Sequence, residues 1–190
     1  VTTELAAAIA KHYGVEIMNV LTGFKYIGEK MTEFEKTGSH SYVFGFEESY
    51  GYLAGTHARD KDGVVSTMLI AEMAAYYKSQ GKTLIDVMNG LYDEFGYYCN
   101  TVQSYTFEGA AGMEKMAAIM DGLRDNKPSS FAGYEVTKID DYKTSKSTIV
   151  KTGEESEITL PKSNVLAYTL TNGNKVIVRP SGTEPKIKAY

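Results

Sequence analysis

A single cysteine, Cys99, stands in 190 residues, so the chain cannot close a disulfide within itself. Set among Tyr97, Tyr98 and Val102, that thiol reads as a small core residue, and a reducing, cytoplasmic setting fits it. Positive charge is not in excess either. The 20 Lys and Arg face 24 Asp and Glu, and no basic stripe interleaved with aromatics stands out, which speaks against nucleic acid as a partner. Apolar runs are short: the one around Met68 to Tyr77 is broken by Glu72 and falls short of a bilayer span, so no membrane partner is expected. His and Cys are nowhere at zinc-ligand spacing. A basic leader with a cleavage site is also missing, and the chain opens at Val1 in a helical pattern, as a piece of something longer would.

What is present is a core-forming composition, 43% apolar. Thr3 can cap a helix carrying Leu5, Ala6, Ile9, Ala10 and Tyr13, with Gly14 placed for a left-handed stop. Val15 to Leu21 reads as a strand, a second helix after Gly23 carries Phe24, Ile27, Met31 and Phe34 on one face, and Ser41 to Phe46 reads as another strand. Gly63 opens a long helix to about Gln80, with Met68, Leu69, Met73, Ala74 and Tyr77 as core candidates, and Thr83 caps a helix to about Phe95. This alternation predicts an α/β layer over residues 1–95, with ligand-holding loops at the carboxyl ends of its strands.

From Tyr97 the pattern changes to a strand through about Phe107, a helix from Met113 to Leu123, and strands at Tyr134 to Ile139, Val165 to Leu170 and Lys175 to Val178. Asn172-Gly173 between the last two is a hairpin signal. Residues 96–190 are therefore expected to form a small α+β sandwich. Asp140 to Pro161, rich in Lys, Ser, Thr and Glu, reads as a solvated loop or excursion.

Two stretches carry chemistry. In GFEESYG, Gly45 to Gly51, carboxylates and a hydroxyl emerge from a strand end. Carboxylates accept hydrogen bonds from neighbouring sugar hydroxyls, and a serine both donates and accepts, so polyol recognition is one reading. A glycosidase acid/base pair is a second, although such carboxylates come from separate segments. A surface turn neutralised by Arg59 and Lys61 is a third. A near copy, GEES at Gly153, lies in the polar 140–161 segment without a buried strand before it. At the end of the chain, RPSGTEPKIKAY offers the guanidinium of Arg179, the hydroxyls of Ser181 and Thr183, and backbone N–H groups around Gly182, a donor set matching a phosphate monoester. An ordinary Pro and Ser-Gly turn is the alternative.

Taken in order, TGFKYIGEKM at Thr22, FGFEESYG at Phe44, HARDKDG at His57 and RPSGTEPKIKAY at Arg179 resemble the motifs of the α-D-phosphohexomutases, most closely the phosphoglucomutase and phosphopentomutase branch. They span nearly the whole chain. The resemblance implies a four-domain enzyme, with residues 1–95 as most of the third, a mixed-sheet α/β sugar-binding domain. Residues 96–190 would be most of the fourth, an α+β domain whose antiparallel sheet has helices on one face.

Glu47 and Ser49 would then hold sugar hydroxyls with Glu48 beside them, and Thr22 and Gly23 would shape the neighbouring loop. Arg179, Ser181, Gly182 and Thr183 would clamp a phosphate, with Lys188 as a further cation. Lys61 and His57 are the catalytic candidates, close to the transferred group. Many relatives carry a histidine two places after the loop serine, where this chain has Gly51.

The implied reaction interconverts glucose 1-phosphate and glucose 6-phosphate through a phosphoserine and glucose 1,6-bisphosphate, with Mg2+. Neither a TASHNP-like phosphoserine motif nor a DGDADR-like metal loop occurs in these residues. The resemblance assigns both to domains 1 and 2 of the same enzyme, which join the phosphorylated sugar as partners, and the fragment alone is expected to be inactive. The EES form leans toward glucose over mannose. A phosphopentomutase, a phosphomannomutase and a non-catalytic sugar-phosphate binding module are the alternatives.

Overall fold

Helix α1 (Glu4–His12) begins as its sequence asks, with the Thr3 hydroxyl accepting from the Leu5 N–H, and Gly14 follows its end at φ 64°. The structure, a computed structural model, describes residues 2–182 and 184–190, in one unit that ends at Asn100 and a second that begins at Thr101. Val15 to Leu21, expected as a strand, has no regular structure. Val15, Ile17 and Met18 are exposed, and among the described residues no strand pairs with them. A β-prone run becomes a strand only where another edge supplies the ladder. The Thr22-Gly23 loop accordingly follows irregular chain rather than a strand end.

Helix α2 (Phe24–Thr37) buries Phe24, Gly28 and Met31 and ends at Gly38, whose left-handed turn lets its N–H donate to the Phe34 carbonyl. Strands β1 (Phe44–Glu47) and β2 (Gly51–Ala54) form an antiparallel hairpin with Glu47 opposite Gly51. Leu53 of β2 completes a small core with Phe24 and Met31, and Tyr42 packs on it while its hydroxyl donates to the Leu53 carbonyl at 2.9 Å. Asp62 caps α3 (Gly63–Ser79), and Thr83 with Asp86 forms a reciprocal capping box on α4 (Leu84–Phe95). Helix α3 departs from expectation because none of its residues is buried. Met68, Leu69 and Met73 are exposed, and Ala74 and Tyr77 only half-covered. The helix is apolar around much of its circumference, so spacing alone does not select which side is covered.

Helix α2 meets the loop of residues 55–62 at Gly28. A Cβ there would lie 2.5 Å from the Arg59 carbonyl oxygen and 3.3 Å from the Arg59 Cβ. Arg59 locks the approach: its Nη1 donates to the Thr56 carbonyl at 2.8 Å, its Nε to the Thr32 hydroxyl at 3.2 Å, and its Nη2 pairs with Glu35.

In the second unit, β3 (Gln103–Thr106), α5 (Gly109–Asn126), β4 (Ser130–Phe131), β5 (Tyr134–Asp141), β6 (Lys146–Ile149), β7 (Glu155–Glu157), β8 (Leu166–Leu170), β9 (Lys175–Pro180) and β10 (Lys186–Ala189) follow in order. The sheet runs β3-β10-β9-β8-β5-β6-β7 with antiparallel pairing, and β4 pairs with β5 off that path. Met116 and Met120 of α5 pack against Val136, Leu166, Tyr168, Leu170, Val178 and Ile187, which places the core between helix and sheet. Asn172-Gly173 turns between β8 and β9 as its hairpin signal predicts, with Gly173 at φ 82°.

Three sequence expectations change here. The strand expected from Tyr97 begins only at Gln103, and both Tyr97 and Cys99, the latter read as a core residue, are exposed on irregular chain with no strand to cover them among the described residues. The 140–161 segment, expected as a loop, extends the sheet through the end of β5 and the β6–β7 hairpin. All three residues of β7 are exposed, so an edge strand of this kind needs no apolar alternation and its composition mimics a loop. The second GEES lies at that turn, where Lys146 Nζ donates to Glu155 across the strands at 2.7 Å.

Two glycine substitutions should act in opposite directions. Gly28→Ala pushes a methyl into the Arg59 backbone and should destabilise the first unit by roughly 1–3 kcal/mol. Gly90→Ala, in exposed α4 with nothing within 4 Å of the added carbon, should stabilise by about 0.5–1 kcal/mol. Denaturant unfolding of the two variants checks both signs.

Candidate functional site

The EES loop is the turn of the β1–β2 hairpin. Glu48, Ser49 and Tyr50 bridge Glu47 and Gly51, and Tyr50 takes a left-handed φ of 64° with its ring exposed. A three-residue hairpin loop closes with a left-handed residue, and a tyrosine there carries a local strain on the order of 1 kcal/mol. Glu47 is half-buried and its Oε1 accepts the Gly23 N–H at 2.8 Å. Gly23 sits at φ 126° and ψ 121°, a conformation open in practice only to glycine. One hydrogen bond thus joins the TG loop to the EES loop across 24 residues of sequence. Glu47 therefore has an internal task beside any external one.

Lys61 completes this cluster. A Cβ at Gly51 would lie 2.9 Å from Lys61 Cδ and 3.5 Å from Glu47 Oε2, so the lysine stem crosses directly over Gly51. Its ammonium stands 5.8 Å from the Phe24 ring centre and donates to Asp60 at 3.1 Å. The histidine that the family resemblance would put at position 51 has no room with Lys61 in this place. Of the two cations expected to neutralise the turn, Arg59 pairs with Glu35, and the Lys61 ammonium pairs with Asp60 while its stem lies over Gly51. His57 lies on the same loop, half-exposed, with Nε2 2.8 Å from Asp62 Oδ2. The hydrogen bond from His57, with those from the Val65 and Val64 N–H groups, holds the Asp62 carboxyl below its usual range.

In the second unit, Arg179 belongs to β9 itself and sits opposite Lys188 of β10. Its Nε donates to the Tyr190 hydroxyl at 3.3 Å, and its guanidinium lies 5.9 Å from that ring centre. Ile187 is buried between Lys186 and Lys188, so both lysines point to the face away from the core. The Ser181 N–H donates to the Lys186 carbonyl at 2.7 Å, and its hydroxyl accepts from the Glu184 N–H at 3.3 Å. Lys186 bonds Glu184 at 2.9 Å and holds its carboxyl below the ordinary value. Gly182 is exposed, with open space where a side chain would stand. Thr183 lies outside the described residues. Arg179 and Lys188 thus stand opposite each other on paired strands with the Ser181 hydroxyl on the loop that follows β9, a cationic rim that suits an anion.

Among the described residues no group of three or more His, Cys, Asp or Glu is placed to hold a metal ion, and no helix is long and apolar enough to cross a membrane. Sequence reasoning missed Asp62, Gly28 and Tyr190. Asp62 carried a readable signal, an Asp immediately before a helix start. The contacts of Gly28 and Tyr190 are tertiary and left none.

Residues 1–95 match the family model described as phosphoglucomutase/phosphomannomutase, alpha/beta/alpha domain III. The chain is 39% identical over 190 residues to a phosphoglucomutase of Staphylococcus haemolyticus and 40% identical over the same length to one of Staphylococcus aureus. It covers 34% of each, so the chain spans about a third of the length of the curated relatives it matches. A solved structure of the exocytosis-sensitive phosphoprotein pp63/parafusin, a phosphoglucomutase from Paramecium in an open form, is similar with a TM-score of 0.61 at 18% identity, over 99% of this chain and 30% of that one. At that identity the likeness is one of fold.

Burial pushes the Tyr42 hydroxyl up to about 12 from 10.0, so its neutral form is favoured by folding. The matching stability is fully present below pH 10 and is lost as pH rises toward 12. Tyr42→Phe should cost about 1 kcal/mol at neutral pH by removing the bond to Leu53. It should also flatten the alkaline fall, as thermal melts at pH 7 and pH 11 will read.

Proposed function

The chain belongs to the phosphoglucomutase/phosphomannomutase family, and from that premise we propose that it is the sugar- and phosphate-binding part of a cytoplasmic phosphoglucomutase interconverting glucose 1-phosphate and glucose 6-phosphate. In this reading residues 1–95 are the third domain and residues 96–190 the fourth. The observation that carries it is the bond from Gly23 to Glu47, which organises Glu47, Glu48 and Ser49 beside the loop bearing Lys61 and His57. A carboxylate with one oxygen tied to the backbone keeps the other for a sugar hydroxyl, and Ser49 can follow either orientation of the sugar. Arg179, Ser181, Gly182 and Lys188 hold the phosphate that is not reacting, and we assign Thr183 to the same clamp from its motif.

The chemistry is a phosphoryl exchange. A phosphoserine outside these residues loses its O–P bond as a sugar hydroxyl gains one, giving glucose 1,6-bisphosphate, and the reverse step returns the other phosphate to the serine. Such transfers depend on positioning and charge stabilisation, which a fixed clamp and the Lys61 ammonium supply. The family resemblance assigns Mg2+ to a metal loop beyond these residues.

The full-length enzyme should convert glucose 1-phosphate faster than mannose or ribose phosphates, and the 190-residue chain alone should give no interconversion. Glu47→Gln keeps an acceptor for the Gly23 N–H but loses the charge, and should lower kcat/KM about 10- to 100-fold, the loss expected for one charge-assisted bond. Phosphoserine formation from the bisphosphate should persist in that variant. Unchanged kcat/KM in Glu47→Gln and Glu47→Ala would sink the assignment.

A further inference from the structure

Asp62 has a second role that helix capping does not explain. Its two carboxylate oxygens are divided: Oδ1 accepts the N–H groups of Val64 and Val65 at 2.8 and 3.1 Å, and Oδ2 faces His57 Nε2 at 2.8 Å. The backbone around it is fixed, since the Asp62 N–H donates to the Tyr52 carbonyl at 2.8 Å. An ionised carboxylate only accepts, so the proton on a neutral His57 ring must sit on Nε2, leaving a lone pair on Nδ1. That second nitrogen faces Gly55, where an added Cβ would lie 3.5 Å away. The glycine leaves the edge uncovered, and the His57 side chain is half-exposed.

We infer that Asp62 is a positioning residue that fixes the tautomer and orientation of His57, so that His57 Nδ1 serves as the proton acceptor for the sugar hydroxyl. The role in turnover rests on the phosphoglucomutase reading above. As the hydroxyl oxygen forms its bond to phosphorus, Nδ1 takes the hydroxyl proton, and the serine oxygen released as its O–P bond breaks takes up a proton from water. The imidazolium so formed stays bonded through Nε2–H to the Asp62 carboxylate, and the proton returns in the reverse step. A carboxylate behind an imidazole stabilises that charged form, whereas a neutral amide does not.

Asn and Ser are both good helix caps, so Asp62→Asn and Asp62→Ser separate the two roles of the residue. In the intact protein with ring-nitrogen-labelled histidine, and with His57→Gln to assign the signals, the wild type should show the Nε2–H tautomer at alkaline pH. Asp62→Asn should turn the ring to the Nδ1–H tautomer, because its amide N–H faces Nε2, and in both variants kcat should fall about tenfold with KM little changed while the melt stays close to wild type. Retention of the Nε2–H tautomer in Asp62→Asn would overturn the inference. So would a shifted tautomer with unchanged kcat, or unfolding of both variants, which would reduce Asp62 to a cap that only it can provide. An intact protein without any mutase activity would instead sink the proposed function, while the tautomer measurement would still decide the pairing.

Discussion

The first unit depends on how closely α2 can approach the loop that carries His57 and Lys61. That approach exists because residue 28 has no side chain, and the Arg59 backbone occupies the vacant volume. Arg59 then turns outward and fastens itself to Thr32, Glu35 and Thr56, so one close contact sets the loop's height and three polar ones set its rotation. Lys61 and Asp62 inherit their positions from this arrangement, and Lys61 in turn limits what residue 51 can be.

A common device recurs among the acidic side chains. Glu47 uses one oxygen to draw the TG loop in, and Asp62 uses one to start a helix. In each case the remaining oxygen stands toward a group of chemical interest, Gly51 and Lys61 for Glu47 and the imidazole for Asp62. A carboxylate held by backbone N–H groups has little freedom left to lose when a ligand arrives, so ordering at the moment of binding costs less. The second GEES shows the contrast: Glu155 faces a lysine across an exposed edge and organises no loop.

Features legible in the sequence were those decided by near neighbours. Thr3, Gly14, Thr83 and the Asn172-Gly173 turn act within a few residues, and their roles follow from local backbone chemistry. The candidate loops were legible as motifs, but the bond that unites Gly23 with Glu47 spans too much chain to be read from either. Val15 to Leu21 illustrates the opposite error, since β-propensity describes a segment's readiness and pairing belongs to another one. The β6–β7 hairpin was hidden for a related reason: an edge exposed to water has no apolar face to display. Arg179 was visible as a guanidinium, while its bond to the Tyr190 hydroxyl, which fixes its direction, left no trace in the pattern.

Helix α3 has a thermodynamic consequence of its own. Val64, Met68, Ile70 and Tyr76 all face solvent on a helix that buries none of its residues. Any surface that covers them binds the folded form and not the unfolded one, and so shifts the folding equilibrium by mass action. The stability of this unit is therefore not a constant of its sequence but a function of what surrounds it, with Asp62 and its cap at the head of the helix where that linkage would be felt by the site.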